Sequence, residues 1–108
     1  MEKTWQLVFE DLSIVENKIT ETLPVTIVIE NKRICLGKHQ GIFYAVEDTC
    51  PHQDASLGKG KTLPSGGVQC PFHHYIFDLK TGECLVGSCR DLETFPLKVV
   101  GNELYIML

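Results

Sequence analysis

Apolar and polar residues alternate with a period of two through most of this chain, and Gly, Asn and Pro break the pattern at short intervals. Such a pattern predicts strands rather than helices. The runs are Trp5 to Phe9, Val25 to Glu30, Arg33 to Gly37, Ile42 to Val46, Tyr75 to Asp78, Phe95 to Val100 and Leu104 to Met107. Turns are expected at Glu30-Asn31-Lys32, at His39-Gln40-Gly41 and at Gly101-Asn102, the last with a pair that tolerates positive φ. Glu10 to Thr22 is polar and has room for a short helix after Asp11 or Ser13. No internal repeat or linker is visible. Together these elements predict an all-β fold, a small antiparallel sandwich or barrel.

Composition narrows the function classes. A chain of 108 residues is expected to form one domain, residues 1–108, with a core modest enough to profit from a metal centre. A net charge of −4 and the lack of a basic stripe argue against a nucleic-acid partner. No uncharged apolar run approaches the ~18 residues that span a bilayer, and Met1-Glu2-Lys3-Thr4-Trp5 has no apolar signal segment. The expectation is a cytoplasmic protein with no membrane partner.

The candidate chemistry sits in two short boxes, Cys50-Pro51-His52 and Cys70-Pro71-Phe72-His73. Each offers one thiolate and one imidazole, so two loops can supply two soft anionic and two neutral nitrogen ligands to a shared centre. Tetrahedral zinc uses the same residue types, but zinc modules usually pair Cys with Cys and His with His at wider spacings. Here both halves are mixed. His74 follows His73 directly and is the competing nitrogen; the Cys-x-x-His spacing points to His73. Of the five cysteines, Cys35 lies in an apolar alternating run and reads as a small core residue. Cys84 and Cys89 flank Gly87-Ser88 and are expected near the metal centre as reduced thiols rather than as part of a disulfide framework.

The mixed boxes resemble those of the Rieske family. So do the segments after them, Gln53-Asp54-Ala55-Ser56-Leu57-Gly58-Lys59-Gly60 and Tyr75-Ile76-Phe77-Asp78-Leu79-Lys80-Thr81-Gly82-Glu83, and the later Thr94-Phe95-Pro96-Leu97-Lys98-Val99. The similarity is strong from about Gly41 onward. It implies one [2Fe–2S] cluster, with Cys50 and Cys70 on one iron and His52 and His73 on the other. It also implies a cluster-binding subdomain inserted at about residues 47–85. Two ferric ions, two sulfides and two thiolates sum to zero charge, whereas four thiolates would leave minus two, so the imidazoles raise the potential. The function implied is one-electron transfer from a flavoprotein or other reductase to a terminal oxygenase, with the carrier itself catalysing nothing. The alternative is the small Rieske-type subunit of an assimilatory nitrite reductase. A complete Rieske oxygenase needs a further iron held by two histidines and a carboxylate, and only His39 and His74 remain.

Departures from the high-potential members refine this expectation. Their inter-loop disulfide would fall at Ala55 and Phe72, and their sulfur-directed serine and tyrosine hydroxyls at Tyr75 and Phe77. The brace and at least one hydroxyl are therefore missing. Hydrogen bonds to sulfur favour the reduced cluster, so a low potential is implied. The loop Val86-Gly87-Ser88-Cys89-Arg90-Asp91 also lacks the proline common in relatives.

Overall fold

The structure, a computed structural model, describes residues 3–51, 55–72 and 75–108. Its strands are β1 (Trp5–Phe9), β2 (Val25–Ile29), β3 (Lys32–His39), β4 (Ile42–Glu47), β5 (Lys61–Thr62), β6 (Gly67–Gln69), β7 (Ile76–Asp78), β8 (Cys84–Val86), β9 (Thr94–Phe95), β10 (Leu97–Val100) and β11 (Glu103–Met107). They form three antiparallel sheets, ordered β1-β11-β10, β2-β3-β4-β9 and β5-β6-β7-β8. The all-β expectation holds.

Local chemistry accounts for the hairpins. Ile29 pairs with Lys32 across Glu30 (φ 51°) and Asn31 (φ 65°), and His39 pairs with Ile42 across Gln40 (φ 52°) and Gly41 (φ 79°). Positive φ at both central residues is the type I′ geometry that matches strand twist. At the third turn only Gly101 is positive, at 63°. The polar stretch after β1 makes a 3-10 turn over Leu12–Val15, where the Asp11 carboxylate accepts from the Ser13 N–H at 3.0 Å.

The first two sheets enclose one core. Ile34 and Leu36 from β3, Ala45 from β4, Phe95 from β9, Leu104 and Ile106 from β11, and Val15 and Ile19 from the polar stretch fill it. The opposite face of β3 and β4 is buried as well. Cys35 and Val46, directly paired across the strands, point into a second core with Leu57, Val68, Phe77, Leu79 and Leu92. Two-sided burial explains why β3 reads as the run Ile34-Cys35-Leu36 rather than as a clean alternation.

One expected strand is divided. Phe95 to Val100 splits into β9, paired with β4, and β10, paired with β11. Pro96 stands at the switch; it has no N–H for a continuous ladder, and its carbonyl instead accepts from Met107 N–H at 2.9 Å. Strands β5, β6 and β8 were not expected from the pattern. Each has only two or three residues, too few to display a period.

The third sheet and its loops occupy the excursion between β4 and β9. A 3-10 turn at Leu57–Lys59 docks this excursion on the sandwich. A Cβ at Gly58 would lie 2.7 Å from Thr26 N and 2.9 Å from Val25 C, and would collide with Thr26 Oγ1. The obstruction is mostly backbone and has nowhere to go. Gly58→Ala should therefore lower the stability by roughly 3 kcal/mol, the upper part of the range for overpacking. Urea unfolding measures it, and an unchanged midpoint would show that β2 gives way instead.

Candidate metal centre

The two boxes sit on matching loops. After β4, the Cys50 N–H donates to Ala55 O at 2.8 Å; after β6, the Cys70 N–H donates to Tyr75 O at 2.8 Å, immediately before β7. Each loop thus begins with Cys-Pro and is closed by one bond across the same number of residues. The thiols of Cys50 and Cys70 are brought within hydrogen-bonding reach of each other. They are 0% and 4% exposed and share the second core. His52 and His73 lie outside the described residues, as do Gln53, Asp54 and His74.

Burial pushes the Cys70 thiol upward, and the neighbouring Cys50 adds to the rise; the Phe72 N–H, donating to the Cys70 sulfur, opposes it. Two thiolates side by side in an apolar core are costly unless a cationic centre offsets their charge. The two thiols therefore fit a cationic, thiolate-binding group, of which an iron–sulfur centre is one, and the Phe72 N–H would favour the more negative sulfur.

A carboxylate missed by sequence reasoning positions the first loop. Asp48 is completely buried. Its Oδ1 accepts from Thr26 Oγ1 at 2.9 Å and Gly58 N at 2.8 Å, and its Oδ2 from Ser56 Oγ at 2.7 Å and Arg33 Nη2 at 3.2 Å. Two donors per oxygen nearly fill its acceptor capacity. Its carbonyl accepts from Leu57 N–H at 2.7 Å, while its own N–H donates to Arg33 O at 3.2 Å. Asp48 ties β2, β3 and the segment after the first box together two residues before Cys50. Nothing in the local sequence distinguishes it from a surface acid, because its donors come from three separate segments.

A third loop, after β8, packs beside these two. Arg90 forms a two-pronged ion pair with Glu47 at 2.6 and 2.9 Å, and Glu93 N–H donates to the same carboxylate at 2.7 Å. Arg90 holds the Glu47 carboxyl below the usual range against the opposing effect of burial, with the Glu93 N–H assisting. Because Arg90 is largely exposed, this pair orients the loop more than it stabilises it. Cys84 and Cys89 pack against the core containing Cys50 and Cys70, and their sulfurs are 3.3 Å apart. Burial, with Cys84 alongside, pushes the Cys89 thiol up to about 12. Cys35, by contrast, is a fully buried core thiol, and burial raises it further.

An antiparallel two-sheet sandwich bearing a small third sheet, with two Cys-Pro loops converging on a buried thiol pair, defines a class of iron–sulfur electron-transfer domain. The chain belongs to the Rieske [2Fe-2S] domain family, which matches residues 4–96, and the group it carries is one [2Fe–2S] cluster. It is 41% identical over 76 residues to the 3-phenylpropionate/cinnamic acid dioxygenase ferredoxin subunit of Escherichia coli strain K12, covering 69% of this chain and 72% of that one. A structure of the complex of reduced oxygenase and oxidised ferredoxin in carbazole 1,9a-dioxygenase matches with a TM-score of 0.80 at 27% identity, over 94% of this chain and 91% of that chain. The putative NADH-dependent nitrite reductase small subunit from Mycobacterium tuberculosis shares the fold, with a TM-score of 0.80 at 17% identity over 100% and 97% of the two chains.

Asp48→Asn tests the clamp. The amide must aim an NH2 group at two of the four converging donors, so unfolding in urea should show a loss of about 3 kcal/mol, in the range for breaking a buried charged network. A loss below about 1 kcal/mol would show that the network is dispensable.

Proposed function

We propose that this chain is a one-electron carrier in which Cys50 and Cys70 hold one iron and His52 and His73 the other. The observation that carries the reading is the buried contact of Cys50 and Cys70 on two matching loops, in a chain of the Rieske family. When bound, the cluster supplies a site for one electron at a time. The protein's residues do the rest. The apolar second core excludes water from the thiolates, the Phe72 N–H favours negative sulfur, and Asp48 together with the Glu47–Arg90 pair holds the surrounding loops.

The similarity to a dioxygenase ferredoxin subunit supports an electron path from a flavoprotein or other reductase to a terminal oxygenase. Phe72, Leu85 and Val86 are large apolar side chains at least half exposed on the second box and β8; they suit a partner that comes and goes. The nitrite reductase small subunit is the second reading, favoured by a fold match along the entire chain. Among the described residues no helix is long and apolar enough to cross a membrane. The proposal places a single non-catalytic domain, residues 1–108, in the cytoplasm, with the cluster subdomain formed by the excursion after β4.

Purified protein should contain two irons and two acid-labile sulfides per chain, and its reduced form should give the rhombic paramagnetic resonance signal of a valence-localised pair. Stoichiometric zinc without sulfide would sink the assignment. His73→Ala should abolish or grossly alter the visible spectrum, while His74→Ala should leave it intact; the reverse outcome would move the ligand to His74. Reoxidation of the reduced carrier by a terminal oxygenase rather than a nitrite reductase separates the two partner readings.

The potential follows from the sulfur environment. Phe77 is fully buried in the second core and brings no hydroxyl. The midpoint should therefore lie in the lower third of the Rieske range of about −150 to +300 mV. Voltammetry on the intact protein decides it, and a value above about +150 mV would show that other features set the potential.

A further inference from the structure

Cys84 and Cys89 are both free thiols, both half-buried, and 3.3 Å apart at their sulfurs. Three contacts fix the loop that holds them. Leu92 N–H donates to Gly82 O at 2.7 Å across the base, the Asp91 carboxylate accepts from Cys84 N–H at 2.9 Å, and Arg90 is pinned to Glu47. At the tip, Gly87 has φ 118°, and a Cβ there would run into the Tyr75 ring. The turn is therefore seated on the second cluster loop, and the two thiols meet inside a framework anchored at both ends. To bond, the two sulfurs have to close from 3.3 Å to about 2.05 Å.

We propose that Cys84 and Cys89 form a reversible intramolecular disulfide that closes the third loop against the cluster end, by exchange with a low-molecular-weight disulfide such as glutathione disulfide. One protein thiolate attacks a sulfur of the small disulfide; that S–S bond breaks, one small thiol leaves, and a mixed disulfide remains. The other protein thiolate then attacks the protein-side sulfur and expels the second small thiol. Two electrons and two protons pass from the cysteine pair to the small disulfide, which is reduced to two thiols. The brace would lie within one loop, whereas Ala55 and Phe72 leave the first two loops without a disulfide between them. This inference is independent of the redox partner.

The test uses cluster-loaded protein equilibrated without oxygen in glutathione buffers of graded ratio, then trapped with N-ethylmaleimide and digested with trypsin. Cleavage after Lys80 and Arg90 puts both cysteines on the peptide running from Thr81 to Arg90, apart from Cys35, Cys50 and Cys70. As the buffer becomes oxidising, this peptide should come back two hydrogens lighter and lose both maleimide labels, while the visible spectrum of the cluster persists. Cys84→Ser should leave Cys89 labelled or singly glutathionylated under the same conditions, and amide exchange across the loop should be slower in the oxidised wild type. Two labelled cysteines in the most oxidising buffer would overturn the proposal. So would separate glutathione adducts with no internal bond, or a disulfide that appears only as the cluster bleaches.

Discussion

A carboxylate cut off from water marks the point where the chain leaves the sandwich for the first Cys-Pro loop. Asp48 survives there because four donors converge on its two oxygens; a buried charge without them would cost several kcal/mol. Those donors come from β2, from β3 and from the segment beyond the first box. Satisfying Asp48 therefore requires all three to be in place together. The position of Cys50 two residues later depends on that requirement, and the contact of Cys50 with Cys70 depends on it in turn.

The central strands transmit this constraint between the two cores. Ile34, Leu36 and Ala45 serve the sandwich, while Cys35 and Val46, from the same strands, serve the excursion. A slip of one residue in β3 would exchange the two faces, putting apolar bulk where a small thiol now lies. The register that builds the sandwich thus also shapes the floor beneath the thiol pair.

Around the thiol pair the protein combines an apolar enclosure with a few directed dipoles. Enclosure makes an uncompensated thiolate unfavourable, and the Phe72 N–H partly offsets that cost at Cys70. The surrounding loops are held mainly by backbone bonds and by carboxylates accepting from backbone N–H groups, as at Glu47 and Asp91. Such bonds fix loop shape without long side-chain arms, which suits a centre whose ligands must keep their geometry while its charge changes.

Most of the strand pattern, the positions of the three hairpin turns, the short turn after β1 and the Cys-Pro boxes were legible in the sequence, because each is set by residues within a few positions of one another. The buried role of Cys35 was legible for the same reason, from the apolar run around it. Pro96 was visible, but its consequence was not: whether a strand continues or changes sheets depends on partners in β4 and β11. The short strands β5, β6 and β8 carry too few residues for a period, and they exist because neighbours hold them. Burial of Asp48 and the meeting of Cys84 with Cys89 were likewise settled only by the tertiary structure. A carboxylate's donors and a thiol's neighbour are chosen by packing between distant segments, which local residue chemistry does not encode.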